Sequence, residues 1–377
     1  MIIRGYKVKI HPNKEQQILM NKTFGCARFA YNWTLNKQLE AFNNDQKFIS
    51  EGELRKEFTK FKKDMKSNGE DWLYEIPNNA TKQAIKDCFR AYKNFFNKKS
   101  QRPKFKSKKH SKLSFYNDTY KIKVFSNKVQ LEVIGTMNLA EKDRIPNGKI
   151  YNPRISFDGL NYWLSVNVEV DENQINKNIN KEKSEPIGID LGIKTLMTCS
   201  NKMNFNKSDT RKEVKKLKRL QRRVSRYYLE MKKNKTTEKS KNILKLEKSI
   251  LKQHKRIANI RRNNIHQITT NIIKLNPSHI VIEDLASSNM MKNKHLSEKI
   301  ANCSFYEIRR QLEYKCEWNN INLIIADRWF ASSKLCSNCG NKKDKLSLSE
   351  RIYKCDCCSC IIDRDFNASI NLKNLVM

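Results

Sequence analysis

Two cysteine pairs near the end of the chain constrain its fold more than any other sequence feature. Each pair has two residues between its cysteines, and residues 340 to 354 separate the pairs. This spacing lets four thiolates surround one Zn²⁺ ion as a tetrahedron, and a site filled by four protein ligands is structural. The predicted ligands are Cys336, Cys339, Cys355 and Cys358. Cys357 and Cys360 offer an alternative register for the second pair. We therefore predict a zinc ribbon over residues 334–360.

Acidic residues at the boundaries of apolar segments form the second constraint. Asp190 lies in a strand-like run with a glycine two residues to either side, Glu283 ends a second apolar run, and Asp365 opens a helical segment directly after the cysteine pairs. A divalent-metal nuclease needs carboxylates of this kind. The glycines would let a phosphodiester approach Asp190 closely. Asp284, the next residue, is an alternative metal ligand to Glu283. The position of Glu283 at the strand end favours Glu283.

The net charge of the chain indicates that its binding partner is a polyanion. Lysine and arginine number 76 against 39 acidic residues, which gives a formal charge of +37 over 377 residues. Such a surface favours binding to DNA or RNA, because neutralising phosphates releases counterions. A ribosomal-type structural protein and a membrane-surface binder are the alternatives that composition alone leaves open.

Cysteine usage and hydropathy indicate a compartment. Six of the 11 cysteines fall within residues 336–360, which in a reducing compartment favours metal ligation over disulfides. The sequence has no apolar run approaching the ~18 residues of a transmembrane helix, and its start alternates like a strand rather than like a signal peptide. We therefore expect a cytosolic protein that has no membrane partner and no small-molecule cofactor.

The first half of the chain reads as a small barrel with a helical insertion. Residues 1–10 alternate like a strand that lacks a local partner, and apolar residues recur at helical intervals over 15–35 and 80–96. Short alternating runs at 113–116, 120–125, 129–134, 149–151 and 162–170 predict an antiparallel barrel. We assign 1–11 and 101–172 to the barrel and 12–100 to the helices. A polar linker follows at 173–185.

The second half is predicted to be an α/β domain. Buried-strand runs at 279–283 and 321–327, with a helical segment over 296–318 between them, favour a parallel pair. This domain would comprise 186–333 and 361–377, interrupted by the ribbon. The predicted fold class is therefore α/β plus a β-barrel.

A basic helical hairpin is predicted inside the α/β domain, at about 210–275. Apolar residues recur there near every three and a half positions, with a polar turn at 232–241. The candidate nucleic-acid contacts on it are Arg219, Arg222, Arg223, Arg226, Arg261 and Arg262. We predict a nucleic-acid cradle; the alternative is a solvated hairpin. Arg90, on the charged face of the 80–96 helix, is either a further contact or solvated.

The order of the motifs resembles the TnpB family, the RNA-guided nucleases of bacterial insertion sequences, which are related to compact type V CRISPR effectors. The likeness covers nearly the whole chain. The motifs that carry it are Gly188-Ile-Asp-Leu-Gly, Ile282-Glu-Asp-Leu, Ser332-Ser-Lys-Leu-Cys-Ser-Asn-Cys-Gly with the second cysteine pair, and Asp363-Arg-Asp-Phe-Asn-Ala. Phe24-Gly-Cys-Ala-Arg-Phe-Ala-Tyr-Asn resembles the opening of the family.

The resemblance implies a RuvC-like, RNase H type catalytic domain, an oligonucleotide-binding-like wedge barrel, a helical recognition domain and a zinc ribbon. It also implies a guide, called omega RNA, that directs cleavage of double-stranded DNA beside a short motif. Asp190, Glu283 and Asp365 match the catalytic positions and would hold two Mg²⁺ ions. Asn79 and Gln83 match a region that contacts the adjacent motif in relatives. The protein would act in the bacterial cytosol, at the nucleoid.

The chain departs from the family pattern at two positions. Ser359 stands where a glycine usually follows the fourth cysteine, and Asn264 stands where an Asp often precedes His266. Neither departure touches the three acids. The alternatives are a nuclease-inactive guided regulator, which would normally lack one acid, and a compact type V CRISPR effector.

Overall fold

The computed structural model describes residues 2–171, 182–347 and 349–376. The chain divides into two compact units, Met1–Glu172 and Asn173–Met377. Most of the predicted linker at 173–185 lies outside the described residues. Among the described helices, none combines the length and the apolar composition that a membrane crossing requires.

The first unit is built on an antiparallel sheet. Its described strands are β1 (Ile2–His11), β2 (Leu113–Tyr116), β3 (Lys123–Val124), β4 (Lys128–Leu131), β5 (Gly135–Leu139), β6 (Ile150–Phe157) and β7 (Tyr162–Val170). They are ordered β2-β6-β7-β1-β5-β4-β3. β1 pairs along β7 from Ile2 to Ile10 and also pairs with β5 at Ile10 and His11, which confirms that the first strand joins this sheet. The sheet is a curled half-barrel with β2 and β3 at its edges rather than a closed barrel.

Two of the predicted strands differ in detail. In the predicted run at 129–134, the strand ends at Leu131, because Val133 (φ 65°) and Gly135 (φ 86°) turn the chain. β5, which starts at Gly135, is therefore a strand that was not predicted. The run at 120–125 begins as a 3₁₀ helix, Thr119–Lys121, and contributes only the two residues of β3. Alternation of side chains is a good guide to strand character, but it does not locate a turn made by a non-glycine residue at positive φ.

Three described helices lie between β1 and β2: α1 (Lys14–Asn43), α2 (Glu51–Ser67) and α3 (Asn78–Phe96). Capping boxes start the first two, formed by Asn13 with Gln16 and by Ser50 with Glu53. α1 continues well beyond the predicted end near residue 35, and the predicted helix at 80–96 is present as α3.

The second unit contains a mixed sheet. Its described strands are β8 (Ile187–Leu191), β9 (Met197–Cys199), β10 (Asn204–Phe205), β11 (His279–Glu283) and β12 (Asn322–Ala326), ordered β10-β9-β8-β11-β12. β8, β9 and β10 are antiparallel, whereas β11 is parallel to both β8 and β12. The predicted parallel pair of strands is therefore confirmed.

The second unit also contains helices. They are α4 (Arg211–Lys233), α5 (Lys241–Lys274), α6 (Ser287–Met290), α7 (Ser297–Cys303), α8 (Phe305–Trp318) and α9 (Arg364–Lys373). α4 and α5 form the predicted hairpin, with Leu217 and Val224 of α4 buried. The predicted helical segment over 296–318 is confirmed, but it consists of two helices, because Ser304 (φ 54°) separates α7 from α8.

The hydrophobic core of the second unit lies on both faces of its sheet. Ile265, Ile268 and Ile272 of α5 and Ile308 and Leu312 of α8 pack with the strands in one cluster. On the other side, Val281 and Ala326 pack against Leu372 of α9. The short strands β13 (Ile352–Lys354) and β14 (Ile361–Asp363) pair antiparallel in the cysteine-rich segment, and α9 starts directly after β14.

Candidate active site and metal centre

Two of the candidate carboxylates are placed by neighbouring parallel strands. Ile189 of β8 pairs with Ile282 of β11. Asp190 is the residue after Ile189, and Glu283 is the residue after Ile282. Because parallel neighbours in register present the same face at the same position, the two carboxylates lie side by side at one edge of the sheet. The strand register thus explains how residues far apart in sequence meet.

Close packing of α9 on β8 places the third carboxylate. A Cβ atom at Gly188 would lie 2.0 Å from the Ser369 carbonyl oxygen and 2.4 Å from the Lys373 amide nitrogen, so only glycine allows the helix this near. Asp365 is in the first turn of α9, and the Asp363 side chain caps the helix by accepting from the Phe366 amide, 2.9 Å away.

The structure brings these three carboxylates into one electrostatic field. Burial raises the pKa of Asp190 well above its ordinary value, and the nearby charges of Glu283 and Asp365 raise it further. Burial also raises the pKa of Glu283, with Asp365 adding to the increase, while a hydrogen bond from Ser332 opposes it. The Arg364 charge favours ionisation of both groups. Like charges grouped in this way are costly unless nearby cations neutralise them.

Glu283 is oriented by a buried serine. Ser332 is 4% exposed, and its Oγ donates to Glu283 Oε1 at 2.6 Å. The Ser332 carbonyl in turn accepts from Asn371 Nδ2 of α9 at 2.7 Å. This chain of contacts joins the helix that carries Asp365 to the carboxylate at the end of β11.

Asp284, the alternative to Glu283, is engaged elsewhere. Its carboxylate accepts from Arg309 Nη1 at 2.9 Å and also pairs with Arg328. The Glu283 charge, by contrast, acts on Asp190. In this structure, therefore, Glu283 is the acid of the pair that faces Asp190.

Arg364 connects the carboxylates with the cysteine-rich segment. Its Nη1 donates to the carbonyls of Ser347 and Glu350 at 3.1 and 3.3 Å, whereas its Nε is buried without a hydrogen-bond partner in the described residues. Arg351, in the same segment, lies 3.9 Å from Asp365. An unsatisfied buried donor of this kind is uncommon in a folded protein.

The predicted zinc ligands form a compact cluster. The Sγ atoms of Cys336, Cys339, Cys355 and Cys358 all lie within 4.8 Å of one another. Cys336 Sγ is 3.6 Å from Cys358 Sγ, and Cys339 Sγ is 3.5 Å from Cys355 Sγ. Tetrahedral Zn–S bonds of about 2.3 Å would place the sulfurs about 3.8 Å apart. The geometry therefore suggests a zinc site.

Cys357 and Cys360, the alternative register, are not members of this cluster in the described residues. The Cys357 and Cys358 amides instead donate to Cys355 Sγ at 3.4 and 3.5 Å, and Asn338 Nδ2 donates to Cys358 Sγ at 3.5 Å. The Asn338 contact lowers the pKa of Cys358, which favours the thiolate that a metal requires.

Two asparagines of α9 hold the loop that leads into the cluster. Asn367 Nδ2 donates to the Leu335 carbonyl at 2.6 Å, and Asn367 Oδ1 accepts from the Ser337 amide at 2.9 Å. Asn371 Nδ2 donates to the same Leu335 carbonyl at 2.8 Å. The backbone on both sides of Cys336 is thus bonded to the helix that carries Asp365.

The candidate nucleic-acid contacts of the hairpin differ in accessibility. Arg219, Arg222, Arg223 and Arg226 are all exposed on α4, and Arg219 and Arg222 line a groove with Lys215 and Lys218. Arg262 is exposed and lies 3.9 Å from Glu307. Arg261 is partly buried, bonds to Asn302, and has an Nε without a partner among the described atoms. Burial lowers the pKa of the Arg261 guanidinium. Part of this side chain therefore packs within the protein.

The two candidate motif-contacting residues of α3, Asn79 and Gln83, already form hydrogen bonds within the protein. Asn79 donates to Asp118 at 2.6 Å and to Glu132 at 3.4 Å, and Gln83 donates to Asp87 at 3.0 Å. Asp87 is bound at both oxygens by Arg154, at 2.8 and 2.9 Å. Arg90 is exposed.

Sequence reasoning missed the residues that support the candidate site. Arg364 lies inside the Asp363-Arg-Asp motif, so its position next to Asp365 was a usable signal. Ser332 begins the motif that precedes Cys336, but a serine in a loop carries no pattern that points to a distant glutamate. Asn367 and Asn371 are buried polar residues of a short helix, which only their hydrogen bonds explain.

Family models match most of the chain. The helix-turn-helix domain of the OrfB type from IS605 matches residues 1–47, the probable transposase OrfB of IS605 matches 165–294, and the TNB domain of the Cas12f1-like proteins matches 305–372. Among solved structures, a Cas12f1 chain in a cryo-EM complex with sgRNA and target DNA aligns with a TM-score of 0.52 and 15% identity, covering 100% of this chain and 99% of that chain. That similarity concerns the fold.

Curated relatives extend over nearly the full length. A Streptomyces pristinaespiralis protein with the provisional name RNA-guided DNA endonuclease is 31% identical over 98% of this chain and 88% of its own. The Escherichia coli K12 protein InsQ, with the same provisional name, is 28% identical over 98% and 91%. A TnpB-like protein of Acanthamoeba polyphaga mimivirus is 28% identical over 52% of this chain and 38% of its own. The chain therefore belongs to the TnpB family of RNA-guided DNA endonucleases.

Proposed function

We propose that this chain binds an omega RNA, recognises a short motif in double-stranded DNA, and cleaves the DNA that pairs with the guide by Mg²⁺-dependent phosphodiester hydrolysis. The observation that carries the proposal is the meeting of three acids, from β8, β11 and α9, in a member of this family. The Cas12f1 chain of similar fold was solved with sgRNA and target DNA, which supports the same class of partners here.

Asp190, Glu283 and Asp365 would hold two Mg²⁺ ions. Carboxylate oxygens are the ligands that Mg²⁺ prefers, and the mutual repulsion of these groups would be offset by bound cations. When bound, such a pair of ions activates the attacking water and stabilises the leaving oxygen.

Other side chains would position these groups. Ser332 fixes the orientation of Glu283 through its 2.6 Å hydrogen bond. Arg364 supplies positive charge beside Asp190 and Glu283. Arg364 would therefore favour the ionised form of both carboxylates.

In this proposal the second unit has a RuvC-like RNase H fold, formed by residues 186–333 and 361–377, with one structural zinc ion in the ribbon at 334–360. An antiparallel hairpin of strands followed by parallel strands, as in β8 to β12, supports that assignment. Residues 1–11 and 101–172 would form the oligonucleotide-binding-like wedge, and 12–100 the recognition domain. The protein would act in the bacterial cytosol, at the nucleoid.

The exposed arginines of α4 are proposed to bind phosphates, since Arg222, Arg223 and Arg226 present their charge to solvent. Asn79 and Gln83 are proposed to contact the adjacent motif. For Asn79, both amide hydrogen bonds go to carboxylates, which leaves the carbonyl oxygen to accept from a base. Arg261 would act by supporting the hairpin.

The test is to purify the protein with RNA expressed from its own locus and to sequence the bound RNA. The complex is then given double-stranded DNA that matches the guide and has a randomised flank, in Mg²⁺ or in EDTA. We expect the DNA to be cut in Mg²⁺ but not in EDTA, and only beside one preferred flanking sequence. Guided binding without cutting would instead support the regulator, and absence of bound RNA would reject the proposal.

A further inference from the structure

An aromatic surface in the first unit is not used by the proposed function so far. Phe42 at the end of α1, Phe48 in the following loop and Phe96 at the end of α3 are 67%, 48% and 60% exposed. Exposed aromatic rings that lie next to one another are uncommon on a soluble surface, where single exposed apolar residues are normal. We call Phe42, Phe48, Phe96 and the adjoining Arg102 the aromatic patch.

Two rings of the aromatic patch, Phe48 and Phe96, are held in place by contacts with each other and with neighbouring rings. Phe48 contacts Phe89, Tyr92 and Phe96 edge to face, with ring centroids 5.6, 5.2 and 5.8 Å apart. Tyr92 also stacks on Phe96 at 6.0 Å. Because these contacts fix the rings before any partner arrives, a stacking partner would lose little additional side-chain entropy.

Arg102 joins Phe42 to the rest of the aromatic patch. Its guanidinium lies over the Phe42 ring, 5.2 Å from the centroid, and its charge acts on Tyr92. The segment that carries Arg102 is tied to α1, because Asn32 and Lys106 exchange two hydrogen bonds of 2.9 and 2.8 Å. Arginine beside aromatic rings is a recurrent base-stacking arrangement.

The charge around the aromatic patch identifies the partner. Residues 88–106 contain seven basic residues and no acidic one. A second copy of the chain would bring a like charge against this surface, so self-association there is disfavoured. A polyanion with accessible bases combines the phosphates that the basic residues attract with the rings that the aromatic residues stack upon. Duplex DNA keeps its bases stacked internally, whereas loops and bulges of a folded RNA present them.

We propose that the aromatic patch binds unpaired bases of the guide RNA, by stacking on Phe42 and Phe96, while the lysines that follow α3 hold the adjoining phosphates. This proposal rests on the proposed function, which supplies the RNA. According to this proposal, the surface at the ends of α1 and α3 binds RNA rather than the DNA motif. Its phenylalanines stack on bases, and its lysines bind phosphates.

The test compares three variants of the full-length protein in binding to the RNA that copurifies with the wild type. Phe42→Ala with Phe96→Ala removes the stacking rings, and Lys98→Ala with Lys99→Ala removes neighbouring charges. Phe125→Ala, a ring of similar exposure (51%) that follows β3, is the matched control. Dissociation constants are measured without DNA over a series of salt concentrations.

We expect the phenylalanine pair to weaken RNA binding about fivefold or more at every salt concentration, since stacking contributes about 1–3 kcal/mol per base. The slope of log affinity against log salt should stay unchanged in that variant. The lysine pair should instead flatten the slope, by about 0.7 for each single-strand phosphate that the variant no longer neutralises. Phe125→Ala should bind as the wild type does. Because Phe42 and Phe96 are largely exposed, their replacement should lower Tm only slightly, through the lost contacts of Phe96 with Phe48 and Tyr92.

Wild-type affinity in the phenylalanine variant would overturn the inference, and would leave the proposed function intact if the wild type still cuts guided DNA. Unchanged RNA affinity together with loss of a wild-type dimer, measured by light scattering, would reassign the patch to self-association. A wild-type protein that holds no RNA would reject the proposed function and this inference together.

Discussion

At the residue scale, the two departures from the family pattern have physical explanations in this structure. Ser359 adopts φ 53°, the left-handed region in which a side chain costs about 1 kcal/mol or more, so the usual glycine at this position relieves strain. Asn264 donates from Nδ2 to the Asn206 carbonyl at 3.0 Å, which an ionised Asp could not do. Neither residue contacts the three acids in the described structure.

Ser332 provides the first prediction. Ser332→Ala removes the hydrogen bond that orients Glu283 and leaves that buried carboxylate less constrained. We expect guided cleavage to fall by about 10- to 100-fold, the usual effect of losing a partner of a metal ligand. The Mg²⁺ concentration for half-maximal rate should rise, while RNA and DNA binding stay constant. An unchanged Mg²⁺ dependence would mean that Ser332 has no role in positioning Glu283.

Lys315 provides a prediction about pH. This residue is 9% exposed, and its Nζ donates to Thr269 and Thr270 hydroxyls and to the His266 carbonyl, at 2.6, 2.8 and 3.0 Å. Burial lowers its pKa from 10.5 to about 8. Between these values the unfolded chain binds more protons than the folded protein. The free energy of unfolding should therefore rise with pH across this window, by at most about 3 kcal/mol from this group.

The measurement compares Lys315→Met with wild type from pH 7 to pH 10. Any stability advantage of the variant should be largest below pH 8 and should shrink as pH rises, because the wild type then loses the buried charge. Lys274→Met, at the exposed end of α5, is the control and should show a constant difference. A constant difference for Lys315→Met as well would show that its pKa is not lowered in the folded protein.

At the element scale, α9 is the part that links the two candidate metal sites. It carries Asp365 in its first turn, and Asn367 and Asn371 bind the loop leading to Cys336. Its close packing on β8 depends on Gly188. Loss of the ribbon structure should therefore reach the candidate active site through this helix.

Cys339→Ser tests that linkage and the choice of zinc ligands. We expect bound zinc to fall from about one ion per chain to nearly none, with faster hydrogen exchange in α9, because a structural zinc site contributes directly to folding. Cys357→Ser is the matched control, since both cysteines are exposed and only Cys339 belongs to the cluster. Loss of zinc in Cys357→Ser with retention in Cys339→Ser would support the alternative register instead.

The elements were predictable where the apolar pattern alone defines them. The parallel strands at 279–283 and 321–327 and the hairpin of α4 and α5 follow from runs and spacings of apolar residues. The break at Ser304 and the turn at Val133 were not predictable, because each depends on a non-glycine residue at positive φ. The half-barrel, too, depends on which strands pair at the edges, and alternation does not specify that.

The candidate site was predictable only in its acids and cysteines. Asp190 and Glu283 stand at recognisable strand positions, and the cysteine spacing is specific for a metal. The accessibility of the side chains also has no sequence signal: Arg261 is partly buried, whereas Arg222 is exposed. Hydrogen bonds across more than 30 residues, such as that between Ser332 and Asn371, have no local sequence signal.

At the scale of the whole molecule, charge and guide RNA would share the work of recognition. The formal charge of +37 provides salt-dependent affinity for nucleic acid without sequence preference. Sequence preference would come from base pairing with the guide and from contacts to one short motif. Binding should therefore weaken steeply with salt for matched and unmatched DNA alike, whereas cleavage should require the match.

The most direct test measures guided DNA cleavage and guided DNA binding side by side in the wild type, Asp190→Ala and Asp284→Asn. Asp190 lies in the field of Glu283 and Asp365, whereas Asp284 pairs with Arg309 and Arg328. The account predicts that Asp190→Ala abolishes Mg²⁺-dependent cutting and keeps DNA binding, and that Asp284→Asn still cuts. Cutting by Asp190→Ala, or its loss only in Asp284→Asn, would contradict the central claim.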